Sequence, residues 1–231
     1  MPAPHETVLA TLVDAALPHV AFDGWGEATF RAAIADSGVD PAVARGVAPR
    51  GALDLAVAYH KAGDRVMQEA YRREDTAALK IREKITRAVE LRLEAISDRE
   101  AVRRGTTLFA LPHNAATGAQ LLWGTADAIW TVIGDTSTDG NWYTKRAILS
   151  GVYGATVLYW LGDQSEGQVE TRAFLDRRIA DVMTFEKTKA QLNQSAIGKQ
   201  LMALPNFLLS QMRAPAAMPP ADLPGQFRAP D

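Results

Sequence analysis

No segment of the chain alternates apolar and polar residues over the length of a strand, whereas Ala, Leu, Arg and Glu recur at helical spacing almost from end to end. The pattern predicts an all-α fold. Helices are expected at about 5–17, 25–37, 51–72, 75–96, 98–111, 114–133, 138–161 and 167–191, with turns marked by Gly24, Gly38, Gly63, Pro112, Gly134 and Gly162. The runs SDRE (97–100) and SEGQ (165–168) read as capping boxes, in which a Ser and an acid or amide three residues later satisfy the first free backbone donors of a helix.

Beyond Lys187 the character changes. Residues 187–213 contain Lys187, Lys189, Lys199 and Arg213 and no acid. Ile197, Leu201, Leu204, Leu208 and Met212 follow at steps of four, three, four and four, which aligns them on one helical face. Pro205 kinks or divides that helix. The last eighteen residues, APAAMPPADLPGQFRAPD, hold five prolines and little to bury, so a disordered tail is expected over 214–231. The expected organisation is one domain over 1–190, with a head of about 1–50 and a bundle of about 51–190. An amphipathic helix over 191–213 and the tail follow.

Composition narrows the function. The 231 residues carry 25 basic and 27 acidic side chains, so the chain as a whole has no electrostatic preference for nucleic acid. With no cysteine there is no disulfide, thiolate metal site or cysteine nucleophile. The start, MPAPHETVLATLVDAALPHV, has acids where a secretory signal or Arg-rich transit peptide has cations, and this points to a cytosolic protein. The longest nearly apolar stretch, 151–162, is short of the roughly 20 residues that span a bilayer, so any membrane contact is expected to be peripheral.

The usual chemistry is missing. Histidines stand at 5, 19, 60 and 113, and none lies three residues after a Glu, so the ligand supply of a helical di-iron site is absent and no metal is expected. No phosphate-cradling or dinucleotide glycine pattern occurs, and no cofactor or catalytic residue is expected. Glu83, Glu90 and Glu94 beside Arg82, Arg87 and Arg92 read as a solvated, salt-bridged helix face. A helical enzyme with an unfamiliar site is the weakest of three functional readings.

A short helix, then GEATFRAAIADSGVDPAVARGV, then a longer helix resembles the three-helix head of tetracycline-repressor-type regulators. Residues 1–60, however, hold three basic groups (Arg31, Arg45, Arg50) against seven acids (Glu6, Asp14, Asp23, Glu27, Asp36, Asp40, Asp54), a net of −4. DNA binding draws most of its affinity from cations on phosphates, so no nucleic-acid partner is expected. A ligand-responsive transcriptional repressor is thus the second reading.

If a helix starts near Thr138, then Asp139, Trp142, Tyr143 and Arg146 stand at i, i+3, i+4 and i+7 on one face. Trp, Tyr and Arg are the types most enriched at binding hot spots. Either aromatic alone is explained by capping the core, but the combined patch points to a partner surface. Farther on, Gly151 and Gly154 cost a helix roughly 1 kcal/mol each relative to Ala, a cost that accompanies close approach of another helix or a ligand. With Trp123, Trp130, Tyr153, Tyr159 and Trp160 they are candidates to line an apolar lipid pocket; ordinary core packing is the alternative.

Four stretches carry a resemblance: GALDLAVAYHKAGDRVM (51–67), LKIREKITRAVELRLEAI (79–96), LLWGTADAIW (121–130) and DGNWYTKRAILSGVYG (139–154). Together they resemble the ubiquinone-biosynthesis accessory lipid-binding family across most of residues 25–190. The resemblance implies a repressor-like fold without DNA binding, a homodimer, an isoprenoid lipid or quinone intermediate in the bundle, and assistance to the di-iron demethoxyubiquinone hydroxylase. It places the partner-binding aromatic pair on Trp142 and Tyr143, in a surface with Arg146 and Asp139. The membrane-binding helix falls at about 190–213, through Ile197, Leu201, Leu204, Leu208 and Met212. With no transit peptide in view, a bacterial member at the cytoplasmic face of the inner membrane is expected, delivering substrate rather than transforming it.

Overall fold

The computed structural model describes residues 3–138 and 140–194, with side chains through residue 182. Asp139 lies outside the described residues, as do Ile197, Leu201, Leu204, Leu208, Met212 and the expected tail. The described residues form nine α-helices and no strand: α1 (Pro4–Asp23), α2 (Glu27–Ser37), α3 (Pro41–Val47), α4 (Ala52–Arg73), α5 (Ile81–Glu94), α6 (Arg99–Ala110), α7 (Ala115–Val132), α8 (Gly140–Gly162) and α9 (Val169–Gln194).

Two hydrophobic clusters divide the chain. The head packs Leu12, Val20, Trp25, Phe30 and Leu55 together and reaches Ala101 of α6, where the Trp25 indole donates to the Ala101 carbonyl at 3.0 Å. The bundle packs Met67, Val89, Ile129, Trp160 and Leu175. Helix α4 contributes to both clusters and so joins them.

The differences from the expected helices have local causes. Helix α1 continues past residue 17 through Pro18, which stands on the exposed face. There the carbonyl that a proline leaves without its amide partner can turn to water. Helix α3 was not among the expected elements, yet it has a plain signal: the Asp40 carboxylate accepts from the amides of Ala42 (2.8 Å) and Val43 (3.2 Å), and Pro41 takes the first helical position. Helix α5 starts at Ile81 rather than near 75, where the Glu83 carboxylate accepts from the Lys80 amide at 2.8 Å.

Both expected capping boxes shift. Asp98, not Ser97, caps α6 by accepting from the Ala101 amide at 2.9 Å. SEGQ forms a 3-10 turn over Glu166–Gln168 instead of the first turn of a helix. The α8–α9 corner is held by Asp163, whose carboxylate accepts from the Ser165 hydroxyl (2.6 Å) and amide (2.8 Å) and from the Thr171 hydroxyl (2.6 Å) and amide (2.9 Å). These bonds, the Ser165 hydroxyl foremost, hold its carboxyl well below the usual carboxylate range.

Gly38 ends α2 in the left-handed region, at φ 67°, as its predicted turn requires. Gly63 lies inside α4 and makes no turn. A β-carbon there would stand 2.5 Å from Nη1 of Arg92, so the glycine makes room for a buried guanidinium.

Candidate functional site

The start of α8 and the middle of α7 bring three aromatics together. Trp142 and Tyr143 meet edge to face with ring centroids 4.8 Å apart, and Trp123 of α7 lies 5.9 Å from Trp142 and 6.3 Å from Tyr143. All three side chains are half-buried. Arg146 occupies a different place from the exposed charge that helical spacing suggests. It is 3% exposed, its guanidinium carbon lies 3.9 Å from the centre of the Trp142 ring, and it donates to Asp127 (2.6 Å) and Asp135 (3.2 Å). Lys145 reaches the same Asp135 at 2.7 Å. Burial acts to raise the Asp135 pKa, but the hydrogen bonds from Lys145, Ser137 and Arg146 outweigh it, and the group stays ionised below the ordinary range. A fixed ion-pair platform therefore holds Trp142 from beneath.

The expected pocket residues separate into two groups. Gly151, Tyr153 and Gly154 do line a cavity of about 1050 Å³. Trp123, Trp130, Tyr159 and Trp160 do not. Trp123 belongs to the aromatic group just described. Trp130 is core, with its indole donating to the Lys145 carbonyl at 3.2 Å. Trp160 is core as well and bonds Gln168 at 2.8 Å. Tyr159 is 37% exposed and stacks on Phe174 of α9, with centroids 4.4 Å apart. Aromatic type and helical neighbourhood point to α8, but a one-residue step on a helix turns a side chain by about 100° and decides which surface it meets.

The cavity lies between the head and the bundle, and α1 and α4 to α8 all contribute to it. Its wall is mainly apolar, including Val13 and Leu17 of α1, Val66 of α4, Phe109 of α6, Leu122 of α7 and Val157 of α8. Its size is at the upper end of the about 300–1,000 Å³ usual for small-molecule sites. Gly154 brings α8 onto α7, since a β-carbon there would meet Leu122 at 3.4 Å, while one at Gly151 would meet nothing within 4 Å.

One corner of the wall is polar, and sequence reasoning did not find it. His60 shares a hydrogen bond with the Thr125 hydroxyl at 2.8 Å, and that hydroxyl also bonds Asp64 at 2.9 Å. Arg92 donates through Nε to Asp64 at 2.6 Å and through Nη2 to the His60 carbonyl at 2.9 Å. Arg92 thus leaves the solvated face on which its neighbours suggested it would lie. Arg87 keeps to that face, paired with Glu74, Glu90 and Glu94. His60 and Asp64 at i, i+4 are the one local signal for the corner; Arg92 enters from another helix, 28 residues away.

Burial, and next to it the Arg92 charge, push the His60 pKa from 6.5 down to about 4, against partial support from Asp64. The unfolded chain takes up a proton below about pH 6.5 that the folded chain refuses until about pH 4, so stability present at neutral pH is lost as pH falls through that window. We expect His60 to account for about 2 kcal/mol of lost stability between about pH 7.5 and 5. Urea unfolding at both pH values should show that difference in the natural chain and lose it in His60→Gln; an unchanged difference would place the histidine outside the linkage.

Among the described residues no helix is long and apolar enough to cross a membrane, and no cluster of three His, Asp or Glu side chains is placed to hold a metal.

Residues 115–186, which contain α7, α8 and the aromatic group, match the family model COQ9. The protein named ubiquinone biosynthesis protein COQ9, mitochondrial, of Bos taurus is 39% identical over 92 residues, 40% of this chain and 29% of that protein. The Rattus norvegicus protein of the same name is 38% identical over 109 residues, 47% of this chain and 35% of the relative. The Drosophila melanogaster protein, also so named, aligns more widely, at 27% identity over 191 residues, 80% of this chain and 58% of the relative. The match thus spans about a third of the length of the mammalian relatives. A crystal structure of a TetR transcriptional regulator from Nitrosomonas europaea superimposes with a TM-score of 0.61 at 19% identity, covering 75% of this chain and 97% of that one. It shows the fold. Residues 115–186, which carry α7, α8 and the aromatic group, are thus similar to the COQ9 family model and to proteins named COQ9, on a fold similar to that of a TetR regulator.

Proposed function

We propose that this chain is a non-enzymatic accessory protein of ubiquinone biosynthesis that takes a polyprenylated quinone intermediate from a membrane and presents it to the di-iron demethoxyubiquinone hydroxylase. The observation that carries the reading is the cavity of about 1050 Å³ with a mainly apolar wall, in a relative of proteins named for ubiquinone biosynthesis. Each CH₂ removed from water in such a cavity contributes about 0.8 kcal/mol, so an isoprenoid tail supplies its own binding energy. The Trp123, Trp142 and Tyr143 group is the proposed hydroxylase surface, with Arg146 acting beneath it and Asp139 beside it in sequence. The 191–213 segment is the proposed contact with the membrane surface, and the working form is proposed to be a homodimer. Exposed Leu158 and Tyr159 on α8 and Val169 at the start of α9 give such a dimer apolar surface to cover.

The repressor reading rests on fold alone. Two of the three head arginines are engaged within the head, Arg45 with Glu27 and Arg50 with Asp54, which leaves an acidic surface with little to offer phosphates. The test of delivery is mass spectrometry of lipid released from gently purified protein, followed by uptake of added quinone. A co-purifying or captured polyprenylated ring is expected. Empty protein that also takes up no quinone would overturn the proposal.

A further inference from the structure

At the polar corner of the cavity, side chains from three helices meet: His60 of α4, Arg92 of α5 and Tyr153 of α8. The first two are committed to Thr125, Asp64 and a backbone carbonyl, as described. Tyr153 differs. It is 2% exposed, its ring faces the Arg92 guanidinium at 5.8 Å, and its hydroxyl takes no part in the hydrogen bonds that join His60, Thr125, Asp64 and Arg92. The buried side-chain atoms without a partner among the described residues are the Tyr71 hydroxyl and Arg99 Nε, so the Tyr153 hydroxyl opens to the cavity, where a ligand oxygen can take the place of water. Resting on the delivery reading, we infer that the Tyr153 hydroxyl is the docking point for the ring of the lipid, donating a hydrogen bond to a quinone carbonyl or accepting one from the corresponding phenol.

The charge balance of the corner selects the class of headgroup. Arg92 and Asp64 neutralise each other across 2.6 Å, so Arg92 itself offers a phosphate little net charge beside Tyr153; Lys61 and Arg65, which also line the cavity, are the cations that phosphatidylglycerol would have to reach instead. A neutral oxygen-bearing ring loses far less water and gains the bond. The protonation states agree: burial pushes the Tyr153 hydroxyl up to about 12 and the His60 imidazole down to about 4, so at neutral pH the first is a donor and the second is uncharged. On this reading the tail lies along the apolar wall and supplies most of the affinity, and the ring is positioned at the polar corner.

The test compares three probes on the full chain by native mass spectrometry: a ubiquinone with a short isoprenoid tail, squalene as a hydrocarbon of tail-like chemistry without a ring, and phosphatidylglycerol. Tyr153→Phe is expected to weaken the quinone by about threefold to tenfold, the worth of one neutral hydrogen bond, and to leave squalene unchanged. Its melting temperature should stay level, because the hydroxyl removed has no side-chain partner at the corner to leave unpaired. The carbonyl stretch of isotope-labelled quinone bound to the natural chain should lie lower than in hydrocarbon solvent, and the difference should vanish in the variant. Equal loss for squalene and quinone would make Tyr153 a packing residue only. Unchanged quinone affinity with no carbonyl shift would overturn ring docking while the delivery reading stood, and capture of phosphatidylglycerol in preference to quinone would overturn it equally. If the natural chain binds neither quinone nor squalene, both readings fall.

Discussion

Asp64→Ala is expected to lower the stability of the folded chain by about 3–5 kcal/mol, among the larger effects a single substitution has. The reason is the residue it abandons. The Arg92 side chain is 4% exposed, cannot shed its proton, and would keep one acceptor, the His60 carbonyl, for a full positive charge. The guanidinium has little room to swing toward water, because Gly63 already yields it the space a β-carbon would fill. Denaturant unfolding at neutral pH measures the loss. Asp64→Asn, which keeps an acceptor and the shape but not the charge, should fall between the two.

The pair itself need not stabilise the fold. Removing both charges, with Asp64→Leu and Arg92→Met together, should recover most of what Asp64→Ala loses, because desolvating two ions offsets much of their attraction. An Asp64→Ala variant as stable as the natural chain would mean that water entering from the cavity solvates Arg92, and the corner would then be wet in the empty protein. That outcome bears on ligand binding too, since a ring docking there would have to displace that water.

How far the residues announced this arrangement depends on whether the signal was local. Helix existence was legible in the spacing of apolar residues, and even the missed α3 has its cap in plain view as Asp40 before Pro41. What periodicity did not reveal was depth. Trp142 and Arg146 share a face at i, i+4, and the structure keeps both on it, yet the arginine lies beneath the indole because Asp127 and Asp135, 19 and 11 residues earlier, draw it inward. Gly151, Tyr153 and Gly154 were placed on the cavity from α8 alone, whereas Tyr159 and Trp160 on the same helix turn to other neighbours. The polar corner had almost no sequence signal, because its three cavity-facing side chains come from helices brought together only by the fold.

On the proposed delivery reading, replacing Trp142 and Tyr143 together by Ala is expected to weaken binding to the proposed hydroxylase partner by at least about 100-fold while the chain stays folded. Both aromatics are half-buried, Trp142 over the Arg146 guanidinium and Tyr143 edge to face with Trp142, and side chains held in this way lose little entropy on binding. Hot-spot truncations commonly cost about 2 kcal/mol or more each and add imperfectly, so a combined loss of about 3 kcal/mol gives the 100-fold figure. Some stability should go as well, about 1–2 kcal/mol, because the Arg146 guanidinium loses the ring 3.9 Å above it and Trp123 loses both aromatic neighbours. The ion pairs with Asp127 and Asp135 remain and keep Arg146 satisfied, which is why collapse is not expected. Trp142→Phe alone separates the two effects: it keeps a ring over the guanidinium, so the melting temperature should return close to the natural value, while affinity should stay reduced for want of the indole N–H and its larger surface. Co-purification and calorimetric titration with the hydroxylase measure the first effect, thermal unfolding the second. A double variant that remains folded and binds as before would remove these aromatics from the partner surface, and one that unfolds outright would make them part of the core.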